Sequence, residues 1–133
     1  MNKFFQFNEL IELGKVFSDC EAYLISLEYF DKAIALSYLP INKKRLVEAY
    51  DLRGVVKKFL GRYLESIFDY SKAIELDPRN SYLYFGRGIS YEYLGQKEKA
   101  LKDLKMSLLL DPSFDLPKSI IDFLEEWENI YKS

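Results

Sequence analysis

A shift of 34 residues lays this chain on itself. Residues 47–80 then match residues 81–114 at Tyr50 and Tyr84, Arg53 and Arg87, and Gly54 and Gly88. Leu60-Gly61 meets Leu94-Gly95, Asp69 meets Asp103, and Leu76-Asp77-Pro78 meets Leu110-Asp111-Pro112. Val55/Ile89, Phe59/Tyr93, Ser66/Ala100 and Ile67/Leu101 add conservative matches between them. A repeat of this period constrains the fold strongly. One unit cannot bury its apolar face alone, so the copies must stack on each other. A looser copy begins near Phe7, with Leu10, Leu13-Gly14, Phe17, Ser26, Phe30 and Ala33 in register. The step from Phe7 to Val47 is 47 − 7 = 40, which leaves about six extra residues after the first copy.

The period and the residues resemble the tetratricopeptide repeat. The third copy reads Tyr84-x2-Arg87-Gly88-x2-Tyr91, then Ala100-x3-Leu104, then Pro112; the second reads Tyr50-x2-Arg53-Gly54, then Ser66-x3-Tyr70-x2-Ala73, then Pro78. In the first copy Tyr38 stands where that proline is expected. The resemblance implies an all-α fold, a right-handed α-α superhelix of seven helices in one domain over residues 1–133. Its repeats are expected at about 7–40, 47–80 and 81–114, with helices near 5–19, 22–38, 43–60, 63–76, 81–94, 97–110 and 117–131.

Each unit is then two antiparallel helices, A and B. Gly14, Gly54 and Gly88 fall in the middle of helix A, where glycine costs about 1 kcal/mol against alanine. A cost repeated in every copy points to close packing, with small residues such as Ser66 and Ala100 opposite and Ala33 and Ala73 further along helix B. Tyr50, Tyr84, Tyr70, Phe30, Phe17 and Tyr91 are expected to wedge between helices. Gly61 and Gly95 suit a left-handed residue ending helix A. Pro78 and Pro112 end helix B, because the residue before proline avoids helical φ and ψ.

Arg53 and Arg87 stand where the family often has leucine, and Asp69 and Asp103 lie 16 residues on in the facing helix. The first copy has Leu13 and Tyr29 at those two places, so both charges vanish together. This predicts Arg53–Asp69 and Arg87–Asp103 bridges. Residues 117–131 form an amphipathic cap, with Ile120, Leu124, Trp127 and Tyr131 on one face and Pro117 in its first turn.

Composition removes most chemistry. With 19 Lys and Arg against 21 Asp and Glu the formal charge is −2, and there is no histidine. Imidazole acid–base catalysis, Ser-His or Cys-His pairs and histidine metal ligands are excluded. The lone Cys20 forms no intrachain disulfide or thiolate zinc site and is expected to be buried. No basic surplus points to nucleic acid, and no apolar run is long enough for a membrane span. Gly86-Arg87-Gly88 lies mid-helix, so it is no phosphate loop. The expectation is a protein without catalysis, metal or cofactor, cytoplasmic by default.

In tetratricopeptide arrays the A helices line a concave groove that is the usual ligand surface. The resemblance places Asp51, Val55, Lys58, Phe59, Tyr82, Phe85, Ile89 and Tyr93 on it. The implied function is a protein–protein interaction module, adaptor or scaffold gripping a peptide or protein. The alternative is a structural or homo-oligomerising subunit joined through aromatic surfaces. The family's carboxylate clamp holds acidic chaperone tails with Lys and Asn in the first A helix, Asn in the second, and Lys and Arg in the third. The matching positions here are Ile11, Lys15, Leu52, Tyr82 and Gly86, so a clamp-type chaperone-tail binder is not expected. Lys43, Lys44 and Arg45 in the first turn of the second A helix oppose the helix dipole. Lys97, Lys99, Lys102 and Lys105 are expected to form a solvated convex face.

Overall fold

The computed structural model describes residues 2–132, with side chains described up to Ile130; the Tyr131 side chain, expected on the cap, lies outside them. Its helices are α1 (Lys3–Asp19), α2 (Tyr23–Ile34), α3 (Lys43–Phe59), α4 (Tyr63–Leu76), α5 (Ser81–Tyr93), α6 (Lys97–Leu110) and α7 (Lys118–Lys132). Each A helix packs most densely on its own B helix, then α2 on α3 and α4 on α5. The A helices α1, α3 and α5 also touch in sequence, which makes them one continuous wall.

Local signals explain the boundaries. Each A helix opens on an asparagine whose side chain accepts from the backbone: Asn2 from Phe4, Asn42 from Lys44 and Arg45, Asn80 from Tyr82. Each closes on a Schellman turn. In the later copies Arg62 N–H donates to the Lys57 carbonyl and Gln96 N–H to the Tyr91 carbonyl, each at 2.8–2.9 Å. The left-handed residues in these turns are Gly61 (φ 75°) and Gly95 (φ 76°), whereas the first copy forces Glu21 to φ 58°. Asp77 and Asp111, each before a proline, leave the helical region, with φ near −140°, and end α4 and α6.

One expected helix is shorter. α2 stops at Ile34 rather than running to residue 38. Leu36 and Ser37 N–H bond back three residues, to Ala33 and Ile34, which tightens the chain into turns. Those turns carry Leu36 and Ile41 onto the first core cluster, beside Phe7, Ile11, Leu27 and Phe30.

The repeated glycines are where helices approach. A Cβ on Gly14 would run into the Phe30 ring, and one on Gly88 would lie 3.1 Å from Leu104 and 3.3 Å from the Ala100 carbonyl. Ser26 and Ser66 use the closeness to donate hydroxyls to the Gly14 and Gly54 carbonyls at 2.8 Å. Ala33, Ala73 and Ala100 are fully buried. The expected bridges are present and bidentate. Arg53 Nε and Nη2 lie 2.9 and 2.8 Å from the Asp69 carboxylate, and Arg87 Nε and Nη2 lie 2.7 and 2.8 Å from that of Asp103. Both arginines also reach the preceding repeat, Arg53 to Asp31 and Arg87 to Ser71, so the bridge ties copies as well as helices.

Ile120 of α7 joins Leu104 and Leu116 in a third core cluster, with Phe123 and Leu124 packed against it. Cys20 is exposed, not buried. Leu60, its counterpart in the next copy, packs on the core of the preceding repeat; among the described residues no earlier repeat exists to cover Cys20.

Candidate functional site

The wall of A helices carries two kinds of polar side chain. Near α1 the charges satisfy each other. Arg45 Nη1 lies 2.6 Å from Glu48, its Nη2 3.4 Å from Glu12, and its Nε donates to Asn8 at 3.0 Å. Lys15 lies 3.4 Å from both Glu12 and Glu48. Arg45 therefore leaves the first turn of α3 to bind across to α1, which answers its misplacement against the helix dipole.

Further along α3 two charges are left over. Asp51 and Lys58 are seven residues apart, two turns on one helix face. Both are half-buried, and neither makes a hydrogen bond or an ion pair among the described residues. Burial pushes the Asp51 carboxyl up to about 6, with Glu48 adding to the rise and Lys58 opposing it. Burial likewise lowers the Lys58 ammonium, against the pull of Asp51. The Lys58 Nζ lies 5.9 Å from the centre of the Phe59 ring.

Asp51 lines a cavity of about 680 Å³ with Lys43, Lys44, Glu48, Asp77 and Asn80. Lys58 lines a second cavity of about 420 Å³ with Phe85, Ile89, Glu92, Tyr93 and Pro117. Phe85 and Ile89 are partly buried against Leu116 and Ile120, and the Phe114 ring lies 5.0 Å from those of Tyr82 and Phe85. Val55 packs partly buried on the second core cluster. Tyr82 stays 66% exposed and open to contact.

Phe59 and Tyr93 do something the sequence did not reveal. Each stacks on the first residue of the preceding B helix: Phe59 on Tyr23 at 5.1 Å and Tyr93 on Tyr63 at 5.0 Å, with rings within 3° of parallel. They form a ladder across the repeat seams while keeping their outer faces open, at 62% and 61% exposure. Tyr23 and Tyr63 are separated by the same 40 residues as the first two repeats, a signal that was available. Phe114 and Leu116, in the connection before α7, carried no such signal.

Among the described residues no group of three or more His, Cys, Asp or Glu side chains is placed to hold a metal ion. No described helix is long and apolar enough to cross a membrane. Stacked helical hairpins with an open concave wall define an α-solenoid, a class that recognises partners along its length. The tetratricopeptide-repeat family model matches residues 47–80, and a second one matches residues 70–102. The chain is a tetratricopeptide-repeat protein, and domains of this kind are protein–protein interaction modules.

Among its relatives is the Hsp70-Hsp90 organizing protein of Triticum aestivum, 30% identical over 122 residues that include 77% of this chain. The chain spans only 21% of that relative's length. The Arabidopsis OM64 TPR domain shares the fold with a TM-score of 0.83 at 20% identity, over 94% of this chain and 98% of that one. The first TPR of Spaghetti (RPAP3), bound to the HSP90 peptide SRMEEVD, shares it with a TM-score of 0.80 at 19% identity, over 98% and 96%. These findings overturn the expectation that excluded a carboxylate-clamp chaperone-tail binder. That exclusion rested on counting cations at matched positions. It overlooked Arg45, which the fold brings beside Lys15 and Asn8 from outside the pattern.

Proposed function

We propose that the chain is a non-catalytic adaptor that holds a peptide segment of a partner protein along the concave wall of α1, α3 and α5. The observation that carries this reading is the pair of cavities beside α3 and α5, where Lys43, Lys44, Asp51, Lys58 and Glu92 make no ion pair among the described residues and Tyr93 is exposed. Asp51, Val55, Lys58, Tyr82, Phe85 and Ile89 supply the contact surface, and Phe59 and Tyr93 lend their outer ring faces. Acidic chaperone-type tails belong to the ligands considered, since Lys43 and Lys44 make no ion pair among the described residues and lie beside Arg45 and Lys15, which would exchange Glu12 and Glu48 for a ligand carboxylate. A cytoplasmic setting fits the single unpaired cysteine.

The test is photo-crosslinking of the peptide SRMEEVD and of peptides captured from cell extract. Adducts on Asn8, Asp51 and Tyr82 support the groove; adducts confined to Leu64 and Phe68 overturn it. The alternative, an oligomerising or structural subunit, draws on Leu24, Leu64 and Phe68, which are 62%, 69% and 56% exposed on the B helices. Light scattering that shows a monomer at all concentrations removes the self-assembling form of that alternative.

A further inference from the structure

The repeats gather the same three positions under each helix B. In the second copy these are Asp31, Arg53 and Lys57. Arg53 lies 3.1 Å from Asp31, and Arg53 and Lys57 share the Asp69 carboxylate of α4, with Lys57 also 3.8 Å from Glu65. In the third copy the equivalents are Ser71, Arg87 and Tyr91. Arg87 donates to Ser71 and to Asp103 of α6, and the Lys99 Nζ of α6 lies 5.6 Å from the centre of the Tyr91 ring. The same step of 34 leads on to Lys105, Ile121 and Glu125. Among the described residues no helix follows α7 to cover them. Ile121 is 40% exposed, and the three line a cavity of about 430 Å³ with Leu108, Phe114 and Leu124.

We propose that this end of the array receives an amphipathic helix of a partner protein, in the place that α4 and α6 take in the earlier repeats. The surface is separate from the concave wall. Continuity with the internal seams gives the occupant its form, since each earlier set of these positions lies under a helix. Charge gives it its chemistry. Arg53 and Arg87 each take a carboxylate from the covering helix, whereas Ile121 calls for an apolar side chain, as Leu13 in the first copy stands with Tyr29 in place of the aspartate. On the rim, Asp115 and Glu125 make no ion pair among the described residues, and Lys105 is held by Glu128 at 3.2 Å. The rim therefore lacks cations. In α4 and α6 the side chains at Glu65 and Lys99 meet the position of Glu125, and those at Asp69 and Asp103 meet the position of Ile121. Residues four apart share one helix face. The partner helix thus carries a basic residue four places before an apolar one, and an acidic residue there would meet Glu125 as a like charge.

The experiment selects a library of helical peptides on the full chain and on its Ile121→Lys, Ile121→Ala and Glu125→Lys variants, with circular dichroism and urea midpoints checking that each folds. The expected result is enrichment of Lys or Arg four positions before Leu, Ile or Phe. The best peptide should bind Ile121→Lys about tenfold or more weaker and Ile121→Ala less severely weakened, while Leu64→Lys on the convex face leaves binding unchanged. Glu125→Lys should enrich an acidic residue in place of the basic one, and it carries the test if the Ile121 variants do not fold. Enrichment without this pattern, unchanged binding to Ile121→Lys, or no enrichment at all overturns the proposal. A dimer in sedimentation that Ile121→Lys dissolves would put a second copy in this place and overturn the partner reading too. None of these outcomes bears on the concave groove, which the crosslinking of SRMEEVD tests by itself.

Discussion

Two faces of the helix α3 treat charge in opposite ways. On the face packed against α4, Arg53 and Lys57 converge on Asp69, which is fully buried and held at 2.8 and 3.2 Å. On the groove face, Asp51 and Lys58 are half-buried and have no ion pair. A buried charge without a partner costs stability, and a paired one roughly breaks even. The packed face thus spends its ions on holding helices and repeats in register. The other face keeps charges that make no ion pair among the described residues.

The largest expected effect comes from breaking the satisfied side. Asp69→Ala removes the buried carboxylate that Arg53 and Lys57 share, leaving them only the exposed Asp31 and Glu65, and is expected to cost about 3 kcal/mol, read as a lower urea midpoint. If the loss is below about 1 kcal/mol, the packed-face ions are not the staple described here.

Close packing gives the next effect. Gly14→Ala drives a methyl into the Phe30 ring and is expected to cost about 2 kcal/mol. Gly54→Ala, whose methyl would sit 3.3 Å from Tyr70, should cost less, since alanine recovers helix propensity. Equal losses at both positions would show that these contacts do not set the approach of the helices.

On the unsatisfied side the sign reverses. Asp51 is harder to ionise in the fold than in the unfolded chain, so its contribution to stability is greatest below about pH 4. That contribution falls as the pH rises through about 6. Asp51→Asn should therefore raise stability at pH 7 by about 1–2 kcal/mol and remove that part of the pH dependence, seen in urea midpoints at pH 4 and pH 7. A midpoint lowered at pH 7 would mean that Asp51 is satisfied after all. The smallest effect is expected from the first copy, where Leu13 and Tyr29 replace the Arg–Asp pair and the Phe17 and Tyr29 rings stack at 5.4 Å. Moving that solution into the second copy, as Arg53→Leu/Lys57→Phe/Asp69→Tyr, should change stability by only about 1 kcal/mol, since apolar packing can replace a buried ion network. A loss as large as that of Asp69→Ala would show that the two solutions are not interchangeable.

Much of the fold was legible because a repeat reports on itself. Residues that recur at 34 with no local reason, such as Gly54 and Gly88, must answer to a neighbour. The loss of both charges at Leu13 and Tyr29 identified the Arg–Asp bridges. The groove was legible only as a face. Phe59 and Tyr93 share that face with Tyr82, yet they stack on rings that start the preceding B helices. Arg45 belongs to no repeat position and still crosses to α1. Periodicity gives the direction of a side chain from its own helix axis and says nothing of what stands opposite.

The sequence by itself determined the number of helices, the turns at Gly61 and Gly95, the endings before Pro78 and Pro112 and the Arg–Asp bridges, since these follow from backbone preference and from what repeats. Tertiary structure alone decided that α2 ends at Ile34, that Cys20 is exposed, that the seams are laced by stacked rings, and that Asp51 and Lys58 are half-buried without ion pairs. Each of these depends on which residue of one repeat meets which residue of another. Stacking brings those residues together from positions far apart along the chain.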